Sequence, residues 1–104
     1  MTTPKNWKVK NNMRERDVER YLKTKIESLG GLCLKFESPG YSGVPDRLCL
    51  LPKGKLFFVE VKRPGETLRK LQEKRKKDFQ ALGHQVYVVD SKESINQLIQ
   101  ANGE

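Results

Sequence analysis

The chain has 104 residues, 36% hydrophobic and 33% charged, which is enough apolar material for one small domain with a single core. Lys and Arg number 21 against 13 Asp and Glu, a net charge of +8. A surplus of that size on a small domain favours a polyanionic partner, nucleic acid well ahead of acidic lipid, over a merely soluble basic protein. No apolar run approaches the ~18 residues of a membrane span. The basic N-terminus has no apolar stretch behind it, so neither an anchor nor a secretory signal is expected and the expected location is cytoplasmic.

Residues 1–11 read as a basic arm, and the folded domain is expected over 12–104. Asn12 offers an N-cap with Glu15 three residues on, a capping-box pattern. Val18, Leu22, Ile26 and Leu29 then form a helical stripe that Gly30 and Gly31 stop. Residues 32–36 read as a short strand and 37–43 as a turn-rich loop. Residues 45–51 and 55–62 read as two strands joined by a Pro-Lys-Gly-Lys turn, an antiparallel hairpin. Thr67 is expected to cap a second helix with Leu68, Leu71, Phe79 and Leu82 on one face and a dense set of Lys and Arg on the other, ended by Gly83. Residues 85–90 read as a fourth strand, and Asp90 and Glu93 open a last helix with Ile95, Leu98 and Ile99 inward. The order is α-β-β-β-α-β-α. A hairpin followed by a β-α-β crossover implies a mixed four-stranded sheet flanked by helices, an α/β fold.

Cys33 and Cys49 lie inside apolar runs without a C-x-x-C partner, and His84 is the sole histidine, so a zinc site is not expected. Both thiols are expected to be buried and reduced, and His84 to be a cap or surface residue.

The chemistry gathers on the hairpin. Alternate side chains of a strand share a face, so in Val-Glu-Val-Lys, Glu60 and Lys62 point one way and Phe57, Val59 and Val61 the other. Glu-x-Lys on a strand is by itself usually a solvated face. Asp46 changes its weight, because the start of one hairpin strand lies beside the end of the other. Two carboxylates and an ammonium then converge at a sheet end. Close carboxylates stay ionised together only with a cation between them. Lys62 supplies one charge, and a hard divalent ion, Mg²⁺ or Mn²⁺, suits oxygen ligands that leave room for water and phosphate. Such an ion can act on a phosphodiester, with Lys62 holding the attacking water or offsetting transition-state charge. On the first helix, Glu19 flanks the apolar stripe, while Glu15 reads as a first-turn acid favoured by the helix dipole.

These residues resemble the PD-(D/E)xK nuclease superfamily and, within it, a stand-alone virus-type replication-repair nuclease (VRR-NUC) domain of phage type. The string GVPDR…FVEVKRPGETLRKLQ carries the likeness, with ERYLKTKIESLGG ahead of it. The resemblance implies a restriction-endonuclease-like core. It implies that Asp46 and Glu60 are metal ligands with the backbone carbonyl of Val61 assisting, that Lys62 is the catalytic lysine, that Glu19 is the helix acid (a ligand through water) and that Gln72 lies near the scissile phosphate. Lys35, Tyr41, Arg47, Arg63, Arg69, Lys70, Lys74, Arg75, Lys76 and Lys77 form the expected DNA-binding set, which reads backbone phosphates rather than bases.

The expected function is that of a Mg²⁺- or Mn²⁺-dependent, structure-selective DNA endonuclease, a Holliday-junction resolvase of repair or recombination. It is expected to act as a homodimer on branched or double-stranded DNA, with no membrane partner and no small-molecule cofactor, in a bacterial or phage-infected cell. Trp7, Val9 and Tyr21 are the interface candidates, as apolar residues not claimed by the core. Two other readings stand beside it, a non-catalytic basic nucleic-acid-binding module and a flap or restriction-type nuclease on the same scaffold. A binding module has no need of Asp46, Glu60 and Lys62 together.

Overall fold

The computed structural model describes residues 13–103. Helix α1 (Glu15–Ser28) leads to strand β1 (Leu32–Lys35), then β2 (Arg47–Leu51) and β3 (Lys55–Val61) joined by a tight turn at Pro52–Gly54. Helix α2 (Lys70–Ala81), strand β4 (Val86–Val89) and helix α3 (Lys92–Asn102) complete the order α-β-β-β-α-β-α. The sheet runs β1-β2-β3-β4, antiparallel in its first two pairings and parallel between β3 and β4. The mixed sheet follows from the chain path. A short turn can join only antiparallel neighbours, whereas α2 carries the chain back to the start of the sheet and makes β4 parallel to β3.

One sheet face holds the main core. Cys33, Cys49, Phe57, Val59, Val61 and Val89 point to it, and Val18, Leu22 and Ile26 of α1 and Ile95 and Leu98 of α3 close over them. The helix stripe and the strand alternation predicted these positions. Both cysteines are buried and reduced, facing each other across β1 and β2 with their sulfurs 3.8 Å apart.

Three local expectations need correction. Helix α1 starts at Glu15 with Arg14 as its N-cap, and Asp17, not Glu15, takes the cap N–H, at 3.2 Å from the Arg14 nitrogen. Asn12 lies outside the described residues, as do Trp7 and Val9 of the arm. Helix α2 starts after Arg69, not Thr67, because Gln72 accepts the Arg69 N–H at 2.9 Å and closes the first turn there. The expected apolar face of α2 is not a buried one. Leu68 precedes the helix, Leu71 is 42% exposed and Leu82 77% exposed. Phe79 alone of the four packs into a ring cluster, with Phe36 and Phe58 on the second sheet face. Tyr21 is a further correction: it packs against the core and its hydroxyl donates to Asn96 at 2.7 Å, tying α1 to α3, so it is not spare interface surface.

His84 is exposed, its ring edge-on to Phe58. No helix among the described residues is long and apolar enough to cross a membrane.

Candidate active site

The acidic constellation assembles at the end of the central hairpin. The pairing of β1 with β2 extends one step beyond the strands, where the Phe36 N–H donates to the Asp46 carbonyl at 2.8 Å. The register that sets Arg47 against Val59 puts Asp46 opposite Glu60. The Asp46 carboxylate is then held across the strands, accepting the Val61 N–H at 2.8 Å. Alternation along β3 sends Phe57, Val59 and Val61 into the core and leaves Glu60 on the face that α2 approaches.

Glu60 and Lys62 are each only 4% exposed, so neither is a solvated surface charge. The Lys62 Nζ stands 3.7 Å from Glu60 Oε2. The same oxygen accepts a hydrogen bond from Gln72 Nε2 at 2.8 Å. Gln72 thus does two things with one amide: its oxygen caps α2 and its nitrogen holds Glu60. No buried side-chain nitrogen or oxygen among the described residues lacks a hydrogen-bond partner.

The electrostatics are those of crowded acids. Burial, and then the Asp46 charge, push the Glu60 carboxyl up to about 7, with Lys62 pulling the other way. Burial also raises Asp46, against the Val61 N–H that favours its ionised form. A glutamate that holds its proton near neutrality beside a second acid is a site that wants a cation.

Helix α1 brings two more carboxylates, one turn apart. Glu19 lies near Asp46 but is engaged, its Oε2 2.9 Å from Arg47 Nε. Glu15 lies in the field of the pair: the Asp46 charge acts on it and its own charge acts on Glu60, while the Glu19 charge acts on Asp46. Its own carboxyl is raised, first by partial burial and then by Asp46 and Glu66. The dipole reading of Glu15 is therefore incomplete. Its spacing of four from Glu19, which puts both on one helix face, is the signal that could have found it.

The basic set divides. Lys35 and Arg63 are well exposed, and Arg69, Lys70, Lys74 and Lys77 line the solvent side of α2, with Lys76 half-buried. Arg47 is taken by Glu19 and by the Cys33 carbonyl at 3.5 Å. Arg75 lies over the Tyr41 ring, 3.9 Å from its centroid, and donates to the Ser42 carbonyl at 2.7 Å. Those two arginines and Tyr41 are held by other parts of the same chain.

Fit to a divalent ion can be judged from the donors. Among the described residues, no three His, Cys, Asp or Glu side chains come close enough to cage an ion unaided. Asp46 and Glu60 offer only hard carboxylate oxygen, and Mg²⁺ usually keeps several waters and takes one or two carboxylates plus phosphate. The residues fit a partly hydrated ion of that class.

A four-stranded mixed sheet flanked by helices, with an acid pair and a lysine at the end of its central hairpin, defines a restriction-endonuclease-like α/β nuclease fold. A solved structure described as "VRR_NUC domain" matches with a TM-score of 0.81 at 37% identity, covering 85% of this chain and 96% of that one. The chain is 47% identical over 81 residues to "Putative nuclease p44" of Acyrthosiphon pisum secondary endosymbiont phage 1, a span of 78% of this chain and 87% of the relative. No family model matches the chain. On these likenesses the chain belongs to the VRR-NUC family of nucleases.

Proposed function

We propose that the protein is a Mg²⁺- or Mn²⁺-dependent endonuclease that cuts branched DNA, four-way junctions above all, as a two-fold homodimer. The observation that carries the catalytic part is the convergence of Asp46, Glu60 and Lys62, two of them almost fully buried, at one end of the sheet. A structural ion pair needs one acid, and this cluster presents a second directly across the hairpin.

Asp46, Glu60 and the Val61 carbonyl would hold the ion, with Glu15 or Glu19 contributing through water. When bound, Mg²⁺ or Mn²⁺ supplies Lewis acidity toward a phosphodiester oxygen and a water of lowered pKa. Lys62, fixed against Glu60, presents an ammonium to the reacting phosphate, where negative charge grows in the transition state. Gln72 keeps Glu60 from turning away and stands beside the path of the phosphate. The exposed bases of α2, with Lys35 and Arg63, hold the DNA backbone without reading sequence.

The dimer part rests on symmetry and on one surface. Resolving a junction takes two cuts related by a two-fold axis, which a C2 pair of sites provides. Leu32, Leu50 and Leu56 pair across β1, β2 and β3 on the face that α1 and α3 do not cover. Leu32 is 54% exposed and Leu56 44%, with Leu34 beside them at 41%. This uncharged leucine row is self-complementary under a two-fold and suits a second copy.

The test is a panel of labelled duplex, flap and four-way junction DNAs, cut with and without Mn²⁺, for the wild type and for Asp46→Asn. Paired symmetric nicks on the junction, lost with EDTA and with Asp46→Asn, are expected. Full cleavage in EDTA would remove the metal reading. A strict monomer that cuts flaps and spares junctions would leave only the general nuclease reading.

A further inference from the structure

Helix α2 carries Gln72 to Glu60, yet it buries none of its own residues completely. Something other than a core stripe must fix its position to the fraction of an ångström that a hydrogen bond to the reacting site demands. Toward its C-terminal end, Phe79 packs with Phe36 and Phe58. One turn beyond Gln72, the helix is gripped by the loop that leads into Asp46. Arg75 donates to the Ser42 carbonyl, stacks on Tyr41 and reaches Asp78 at 3.4 Å. The Tyr41 hydroxyl donates to the same Asp78 oxygen at 2.9 Å. Beside them the loop comes so close that only glycine fits: a Cβ on Gly43, at φ +89°, would stand 2.8 Å from Leu71 Cγ.

These contacts share a consequence. The loop ends in Asp46, three residues after Gly43, and the helix begins at the turn that holds Gln72. The loop-to-helix contact therefore helps set where Gln72, the partner of Glu60, sits relative to Asp46. The Arg75 side chain is only 15% exposed, so it is poorly placed to serve as a phosphate contact. Asp78 carries the wrong sign for a phosphate surface, yet it sits at the centre of the contact.

We infer that Tyr41, Arg75 and Asp78 form a clamp that pins the loop before Asp46 onto α2, and that they are positioning residues for the reaction rather than DNA contacts. This rests on the nuclease reading of the site for its catalytic consequence, and on geometry alone for its mechanical one. Asp78 gives the sharpest test because the two roles differ in sign. Loss of an acid from a phosphate-binding face should tighten DNA binding and leave turnover intact. Loss of a clamp member should lower turnover and leave affinity nearly unchanged.

The experiment takes the full chain with Asp78→Ala, Tyr41→Phe, Arg75→Lys and the double variant Tyr41→Phe/Asp78→Ala. Each is assayed for kcat and KM on the best substrate of the panel. Amide hydrogen exchange across α2 is read without DNA or metal. The expected result is a kcat lower by roughly tenfold or more, since small misplacements of catalytic groups are costly. KM should stay within about twofold. Arg75→Lys should behave like the others despite keeping its charge, because lysine cannot stack flat on Tyr41 while donating to Ser42. The double variant should lose little beyond Asp78→Ala, the signature of partners acting through one bond. Exchange at Gln72 and its neighbours should quicken in every variant. Unchanged kcat with tighter DNA binding in Asp78→Ala would overturn the clamp. If the wild type cuts none of the DNAs, the nuclease reading fails separately, and exchange in α2 still decides: quickened exchange upholds the clamp, and unaltered exchange removes it.

Discussion

At the scale of single residues, the site turns on how deeply Glu60 and Lys62 are buried. A buried acid that keeps its proton to about 7, against an ordinary 4.5, links folding to pH. Between those values the folded chain binds more protons than the unfolded chain. Metal-free stability should therefore fall as pH rises through that window and level off above it, and Glu60→Gln should shrink the slope to what the raised Asp46 and Glu15 carboxyls leave. A divalent ion held by Glu60 would displace the same proton. The rise in Tm produced by Mn²⁺ should grow between about pH 5 and pH 8 in wild type and vanish in Asp46→Asn. Melting curves over that range, with and without the ion, check both. Lys62 differs in kind. Its ammonium faces Glu60, and on the proposed mechanism its charge would matter most as the phosphate gains charge. Lys62→Met should lower kcat by roughly 100-fold while DNA affinity changes little. A variant that loses affinity and keeps its turnover would make Lys62 a phosphate contact instead.

At the scale of elements, the helices are held in different ways. Helices α1 and α3 are anchored by fully buried side chains, whereas α2 is held by a ring cluster, a glutamine and the loop before Asp46. Removing Leu22, which has no exposed surface, leaves a cavity in a packed interface, so Leu22→Ala should cost about 2–5 kcal/mol. Leu82 is 77% exposed, and Leu82→Ala should stay within about 0.5 kcal/mol although both leucines fall on predicted apolar stripes. Urea unfolding of the two variants separates the cases. A large loss in Leu82→Ala would mean that α2 docks more deeply than its exposure indicates.

At the scale of the whole molecule, the proposed partners rest on charge and on the leucine row of the second sheet face. With Arg47 and Arg75 engaged within the chain, the free bases on α2 together with Lys35 and Arg63 could neutralise about six phosphates, which gives a slope of log K against log salt of roughly −5. Titrations at several salt concentrations measure it, and a nearly flat dependence would remove the phosphate-tracking surface. The leucine row predicts a dimer that Leu56→Lys splits, by placing a charge on each side of the two-fold. Sedimentation at micromolar concentration reads the oligomer. A Leu56→Lys protein that sediments as a dimer would move the interface elsewhere.

Much of this was legible in the chain. Val18, Leu22 and Ile26 announced α1 because helical period and burial coincide there. The hairpin and its acids were readable because a tight turn leaves no choice of register, which alone brings Asp46 opposite Glu60. The α-β-β-β-α-β-α order and the mixed sheet followed from connection lengths. Three-dimensional packing decided the rest, since it depends on what lies across from a residue rather than on its neighbours in the chain. Period alone could not show that α2 would rest on Phe79 and the loop before Asp46 while Leu71 and Leu82 stayed exposed. Nor could it show that Tyr21 would be spent on Asn96, that Arg75 would face Tyr41 and Asp78 instead of solvent, or that Glu15 would join the field of the two acids while Glu19 paired with Arg47. Apart from the Arg75–Asp78 pair on α2, each of those outcomes joins residues far apart in sequence, and local pattern carries no information about such pairs.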